Sequence, residues 1–192
     1  TSTGGLLAFE RFWMWLEGWD VDYDNLGQRD SLAAVGPEWA SVSAAPFHLF
    51  KFSAAEGGVR VPMIVSGPGI KARGVVGGRS QVADIAPTLL DIAGVAYEAD
   101  EFDGRSLKPL LSSDAPEVYG EQDSIAIEVS GTVGLYRGNW KLTKTPAPYG
   151  DGQWHLYDIL DDPGETKDVA TQHPEVFEEM LTSGGDPDEI IE

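Results

Sequence analysis

The chain has 192 residues, with 13 lysines and arginines against 32 aspartates and glutamates, for a formal net charge of −19. Hydrophobic residues make up 42% and there is no cysteine, which excludes a wholly disordered chain and any disulfide, thiolate metal site or cysteine nucleophile within these residues. The charge opposes phosphate backbones, so nucleic acid is not an expected partner. No apolar run approaches the ~20 residues that span a bilayer, so no membrane partner is expected.

In chain order, Leu6 to Trp19 reads as an amphipathic helix. Leu6, Phe9, Trp13 and Leu16 recur at helical spacing, and Phe12, Trp15 and Trp19 widen the stripe. A packing helix is expected, with sugar stacking on the tryptophans as the alternative. Asp20 to Ala45 is rich in Asp, Asn and Gly and reads as solvated loop. Its alternating Asp20, Asp22 and Asp24 lack the Gly and Glu offsets of a calcium-binding EF-hand. Val59 to Ser66 reads as a strand. Pro62 suggests an edge, and Met63-Ile64-Val65 suits burial on both faces. Asp84 to Ala93 predicts a helix with Asp84 as N-cap, Gly94 as stop, and Ile85, Leu89 and Ile92 on one stripe.

Strand, Gly/Pro loop and helix are the grammar of an α/β layer, but too few parallel strands follow to complete one. Part of the sheet is therefore expected to lie outside the chain. The first residue is Thr1, with no signal peptide after it, so a processed chain or a piece of a longer one is expected.

Ala96 to Gln122 is an acidic connector, and the domain boundary is placed within it, giving units 1–110 and 111–192. The period then changes to alternation over Ile125–Val129 and Val133–Arg137, with Gly138-Asn139 as a tight turn. Trp140–Thr145 and Trp154–Asp158 complete a small antiparallel sheet. Pro174 to Thr182 predicts a terminal helix that packs Val176, Phe177 and Met180 onto that sheet. The acids from Asp161 to Glu192 read as a solvated face and tail.

The chain has no Walker loop, no Rossmann glycine fingerprint, no HExxH and no nucleophile elbow. His48, His155 and His173 are far apart; His155 reads as structural and His173 as a helix cap. The segment Pro46 to Pro62 stands apart, because Lys51 sits between Phe50 and Phe52 and is followed by Gly57-Gly58. With so negative a chain, an anion site needs concentrated local positive charge. A cation on such a loop is a reasonable anion ligand, although on spacing alone a lone lysine is usually solvated.

The run from Lys51 to Pro62, K-x-x-x-x-E-G-G-V-R-V-P, closely resembles the late active-site segment of the sulfatase family in the alkaline-phosphatase superfamily. Tyr23–Gly27 and Gly36–Ala40 resemble the preceding loop of bacterial arylsulfatases. Asp84–Gly94 is similar to the family's D-x-x-P-T-L-L-x-x-A-G helix. Arg137–Leu142, Leu156–Asp158 and Asp162–Thr166 resemble its C-terminal subdomain.

The resemblance implies an α/β fragment: the C-terminal part of an alkaline-phosphatase-like α/β domain, then a small four-stranded antiparallel sheet with a terminal helix. It implies a sulfuric ester hydrolase in which Lys51 binds the sulfate. A hydrated formylglycine would attack sulfur and release the alcohol, and its second hydroxyl would then expel sulfate. The C-x-P-x-R or S-x-P-x-R segment that supplies formylglycine is absent from the chain, as are the family's calcium-binding acids. Calcium and formylglycine are thus expected in the full-length enzyme, with no metal ligands in this chain, which alone should be inactive.

Glu56, Gly57, Gly58 and Arg60 are expected to support the site loop, with a glycine at positive φ and a buried Glu56–Arg60 pair. The expected partners are a small-molecule or carbohydrate sulfate ester and the missing N-terminal part of the same enzyme. The alternatives are a phosphomono- or phosphodiester hydrolase of the superfamily and a non-catalytic, acidic carbohydrate-binding module.

Overall fold

The computed structural model describes residues 3–32 and 36–183. The acidic tail from 184 onward, residues 33–35 of the predicted loop and the Leu6 side chain lie outside the described residues.

The C-terminal half follows the expected alternation. Strands β1 (Ser124–Val129), β2 (Thr132–Arg137), β3 (Trp140–Lys144) and β4 (Trp154–Asp158) form an antiparallel meander in sequence order. Ser130 and Gly131 turn β1 into β2 with φ of 54° and 76°, the doubly positive geometry that matches strand twist in two-residue hairpins. Gly138, at φ 52°, opens the turn into β3.

The register places Leu135, Leu142 and Leu156 side by side on one face. Helix α6 (Pro174–Ser183) covers that face, burying Met180 among the three leucines with Val176 and Phe177 beside it. Each such buried side chain contributes about 1.5–3 kcal/mol.

The other face carries Tyr136, Lys141 and Tyr157 in one row and Gly134, Thr143 and His155 in the next. Alternation alone marks this face as polar and solvent-facing. In the fold it is covered by the segment that leads into α3 (Glu56–Val59).

The N-terminal half departs from expectation. Helix α1 (Thr3–Leu16) forms, but Phe9, Phe12, Trp13, Trp15 and Leu16 are each more than half exposed. The packing it was expected to make is absent among the described residues, and the rings stack only on one another, Phe9 on Trp13 and Phe12 on Trp15. The loop after it is built as expected, with Asp20 accepting from the Asp22 amide at 2.9 Å and from Asn25 at 2.7 Å. Helix α2 (Pro37–Ala44), started by Pro37 at a first-turn position, replaces the rest of the predicted loop.

The strand predicted over Val59–Ser66 does not form: Val59 closes α3 and the rest is irregular, with Ile64 94% exposed. A strand needs a neighbour for its backbone groups, and no described segment supplies one.

Helix α4 (Ile85–Ala93) ends as predicted at Gly94, in the left-handed region at φ 70°. Its start differs. Asp84 is fully buried and does not cap α4. Its carboxylate accepts the amides of Gln81 and Arg105, each at 2.7 Å, and the Tyr119 hydroxyl. The inward residues are Pro87 and Thr88, while Ile85, Leu89 and Ile92 face outward.

The connector is more structured than its composition suggested. It contains α5 (Lys108–Leu111) and buries Leu107, Leu110 and Leu111. Arg105 grips Asp123 through two bonds of 2.7 Å. That guanidinium and the Gly120 amide hold the Asp123 carboxyl down at about 2.

Candidate functional site

The segment from Phe47 to Arg60 crosses the polar face of the sheet, and its attachments are mostly polar. The Ala54 amide donates to Thr132 Oγ1 at 2.7 Å. The Glu56 amide donates to Glu165 Oε2 at 2.8 Å. Gly134 has no side chain, and a Cβ there would already touch Ala54 at 3.4 Å.

Beneath the segment lies a buried charge cluster. Lys141 is 0% exposed, and its Nζ lies 3.1 Å from Glu56 Oε1 and 2.8 Å from Glu165 Oε1. Tyr136 donates its hydroxyl to the same Glu56 oxygen at 2.6 Å. Burial first, then the Glu56 charge, pushes the Tyr136 phenol far above its usual range, so it remains a hydrogen-bond donor. Arg60 reaches Glu56 Oε2 at 3.3 Å from a half-exposed position. Two carboxylates therefore face two cations, one of them wholly desolvated. Charges taken out of water are tolerated only when paired and hydrogen-bonded in this way.

The Glu56–Arg60 contact exists, but Lys141 is the deeper partner of Glu56. The expected positive φ at Gly57 or Gly58 is not found. Both are glycine for lack of space. A Cβ at Gly57 would lie 2.2 Å from the Leu49 carbonyl oxygen, and one at Gly58 would lie 2.0 Å from that of Ser53. The left-handed backbone falls instead on Leu49 (φ 55°) and Phe52 (φ 73°), on either side of Lys51. Such residues usually sit where surrounding structure dictates the bend.

Lys51 itself is exposed at the tip. Its Nζ lies 4.7 Å from the centre of the Phe52 ring, and no carboxylate among the described residues pairs with it. Phe50 meets the Tyr149 ring edge-on at 5.7 Å, tying the tip to the loop between β3 and β4. The arrangement presents one exposed ammonium on a bend whose base is fixed to a sheet. Among the described residues, no group of three or more His, Asp or Glu is placed to hold a metal ion.

The histidines occupy separate places. His173 lies against Trp140 at 4.7 Å, at the start of α6. His155 holds Asp168 through Nδ1 at 2.8 Å and Asp151 through Nε2 at 3.0 Å. Burial works against its proton, but the two carboxylates prevail and raise its pKa. Lys141, Tyr136 and Glu165 were not singled out from the sequence, because the contacts that define them span 80 residues or more or join non-adjacent elements.

Residues 51–183 match the family described as N-sulphoglucosamine sulphohydrolase, C-terminal. The chain belongs to the sulfatase family. The matched span begins at Lys51 and takes in the charge cluster and the whole meander.

Among relatives, an uncharacterized sulfatase of Schizosaccharomyces pombe is 31% identical over 84% of this chain and 31% of its own length. The arylsulfatase of Klebsiella aerogenes is 40% identical over 44% of the chain and 18% of the relative. Mouse arylsulfatase K is 36% identical over 66% of the chain and 24% of the relative. The chain thus spans about a third or less of these relatives, which come from bacteria and eukaryotes alike.

A solved structure from Bacteroides thetaiotaomicron, described with the metabolism of multiple glycosaminoglycans, superposes with a TM-score of 0.54. It is 26% identical and matches 71% of this chain and 30% of that one. Ps i-CgsB, solved in complex with k-i-k-neocarrahexaose, shares the fold with a TM-score of 0.60 at 24% identity, over 72% of this chain and 31% of that one.

Proposed function

We propose that this sulfatase chain is the C-terminal part of an enzyme that hydrolyses the sulfate ester of a carbohydrate or other small alcohol, with Lys51 binding the sulfate. The supporting observation is the attachment of the Lys51 bend. A free-standing solvated lysine needs no buried clamp, whereas this one is held through Ala54 and Glu56 to Thr132, Lys141 and Glu165. Preorganised charge aimed at a developing anion is the largest single term in many enzymes, and a rigid base supplies that preorganisation.

The nucleophile and metal belong, in this reading, to the rest of the polypeptide. The residues described do not fit a calcium site, and no step is assigned to one. The exposed apolar residues of α1, α4 and the 61–65 segment are the surfaces that the remaining α/β domain would cover. The chain alone is accordingly expected to lack turnover. The glycosaminoglycan setting of the Bacteroides structure supports a carbohydrate ester as the substrate class.

The test is Lys51→Ala in the full-length enzyme, assayed on matched aryl sulfate and aryl phosphate. A charge-assisted bond contributes about 1.5–3 kcal/mol, which corresponds to roughly 10- to 100-fold in rate. Sulfate turnover should fall at least that far. Unchanged kinetics, or a preference for the phosphate ester, would refute the assignment.

A further inference from the structure

The polar face of the sheet is not covered all the way to β4. Between the Lys51 segment and the loop that joins β3 to β4 lies a cleft of about 290 Å³, lined among others by His48, Thr143, Tyr149, Asp151, His155 and Tyr157. The cleft shares a wall with the clamp, since Ala55 and Glu165 also line it and Tyr149 steadies the Lys51 tip through Phe50. The cleft touches the sulfate-binding segment directly, because His48 belongs to it and Tyr149 meets Phe50 beside Lys51.

The lining has a definite chemistry. Two phenol rings line it, Tyr157 with one face stacked on His155 at 6.3 Å and Tyr149 in an edge-to-face contact with Phe50, and each brings a polar edge. The hydroxyls of Tyr149 and Tyr157 and the ring of His48 find no hydrogen-bond partner among the described residues, so donors and acceptors stand ready around those rings. The electrostatics are negative. Burial and then Asp168, Glu165, Asp162 and Asp151 push the Tyr157 phenol up to about 12. A second sulfate placed here would meet that same field, whereas hydroxyl groups could donate to the carboxylates. Flat apolar rings, unshared hydrogen-bonding groups and a field hostile to anions together describe a seat for an uncharged pyranose ring.

We propose that this cleft binds the unsulfated sugar portion of the substrate, adjoining the sulfate held by Lys51. The placement of the sulfate rests on the reading given above. The sugar site rests on the cleft alone.

Two measurements on the full-length enzyme separate the two ideas. The first is saturation transfer between the enzyme and the methyl glycosides of glucose, galactose and N-acetylglucosamine, which is independent of turnover. At least one glycoside should receive transfer, and the signal should vanish in Tyr149→Ala. The second is the ratio of kcat/KM for the best sugar sulfate to that for 4-nitrophenyl sulfate. The ratio should fall at least 10-fold in Tyr149→Ala and less in Tyr157→Phe, which keeps the ring.

If Tyr149→Ala fails to fold, His48→Ala, at an exposed position, carries the same test. No transfer to any glycoside, or an unchanged ratio, overturns the sugar cleft while leaving the sulfatase reading intact. Transfer that is lost in the variant, in an enzyme that cleaves neither sulfate, upholds the cleft and retires the sulfatase reading.

Discussion

The two halves of the chain carry apolar patterns of similar strength and treat them in opposite ways. In the C-terminal meander, the apolar positions on one face find partners within about 50 residues: Leu135, Leu142, Leu156 and Met180 close on one another. In the N-terminal half, the predicted stripes of α1 and α4 and the run Met63-Ile64-Val65 form or fail to form without cover. A hydrophobic pattern therefore identifies which surface must be buried but says nothing about what buries it. Where the partner is local, pattern and structure agree. Where it is not, the segment either keeps its helix with the stripe exposed, as α4 does, or loses its strand, as 60–66 does.

The strongest challenge to the packed half is Lys141→Met, which leaves Glu56 and Glu165 buried against one half-exposed arginine. Breaking a buried pair from one side costs about 3–5 kcal/mol. Denaturant unfolding should show a loss of that order, and a loss under about 1 kcal/mol would mean that the cluster is open to water.

Gly57→Ala comes next. Its Cβ would press on the Leu49 and His48 carbonyls, and overpacking of this kind costs about 1–3 kcal/mol or more. Gly77→Ala, with nothing within 4 Å of the added carbon, should stay within about 0.5 kcal/mol of the parent.

The uncovered half should behave differently. Ile92→Ser changes an outward position and should shift the stability of this chain by no more than about 0.5 kcal/mol. The same substitution in the full-length enzyme should cost more, since there the stripe would be covered. Equal effects in both would show that the stripe stays exposed.

The smallest expected effect concerns His155. Its folded pKa is raised, so its contribution is complete below the unfolded value of about 6.5 and is lost as pH rises through the folded value. Asp151 and Asp168 are shifted downward. His155 is the main cause for Asp151, while for Asp168 burial is outweighed by bonds from the Ala170 amide and His155. Their contribution is complete above about 3.9 and is lost as pH falls through their folded values. The latch on the β3–β4 loop is thus whole in mild acid and loosens as pH rises through the folded value of His155. Solvent screening keeps the effect small. An NMR titration of His155 should give a midpoint above the ordinary value, and Asp151→Asn should lower it.

What the sequence made legible follows the same division. The strands, the Gly138 turn and the Pro174 helix were all readable, because alternation and turn chemistry act over a few residues. Lys51 stood out through the motif around it. Lys141 did not: between Trp140 and Leu142 it looks like any solvent-side strand lysine, and nothing local announces that Glu56 and Glu165 enclose it. Gly57 and Gly58 were readable as special but for the wrong reason. A glycine required by a neighbour's carbonyl looks the same in sequence as one required by a left-handed turn.

The Lys141 cluster also fixes how the molecule can be altered. A graft that carried the meander into another scaffold without Glu56 would strand an ammonium in the interior. One that carried the loop alone would strand a carboxylate. Positions 56, 141 and 165 consequently form one exchangeable unit, and engineering that swaps loops around this sheet has to move all three together or replace them at once with neutral residues of similar bulk.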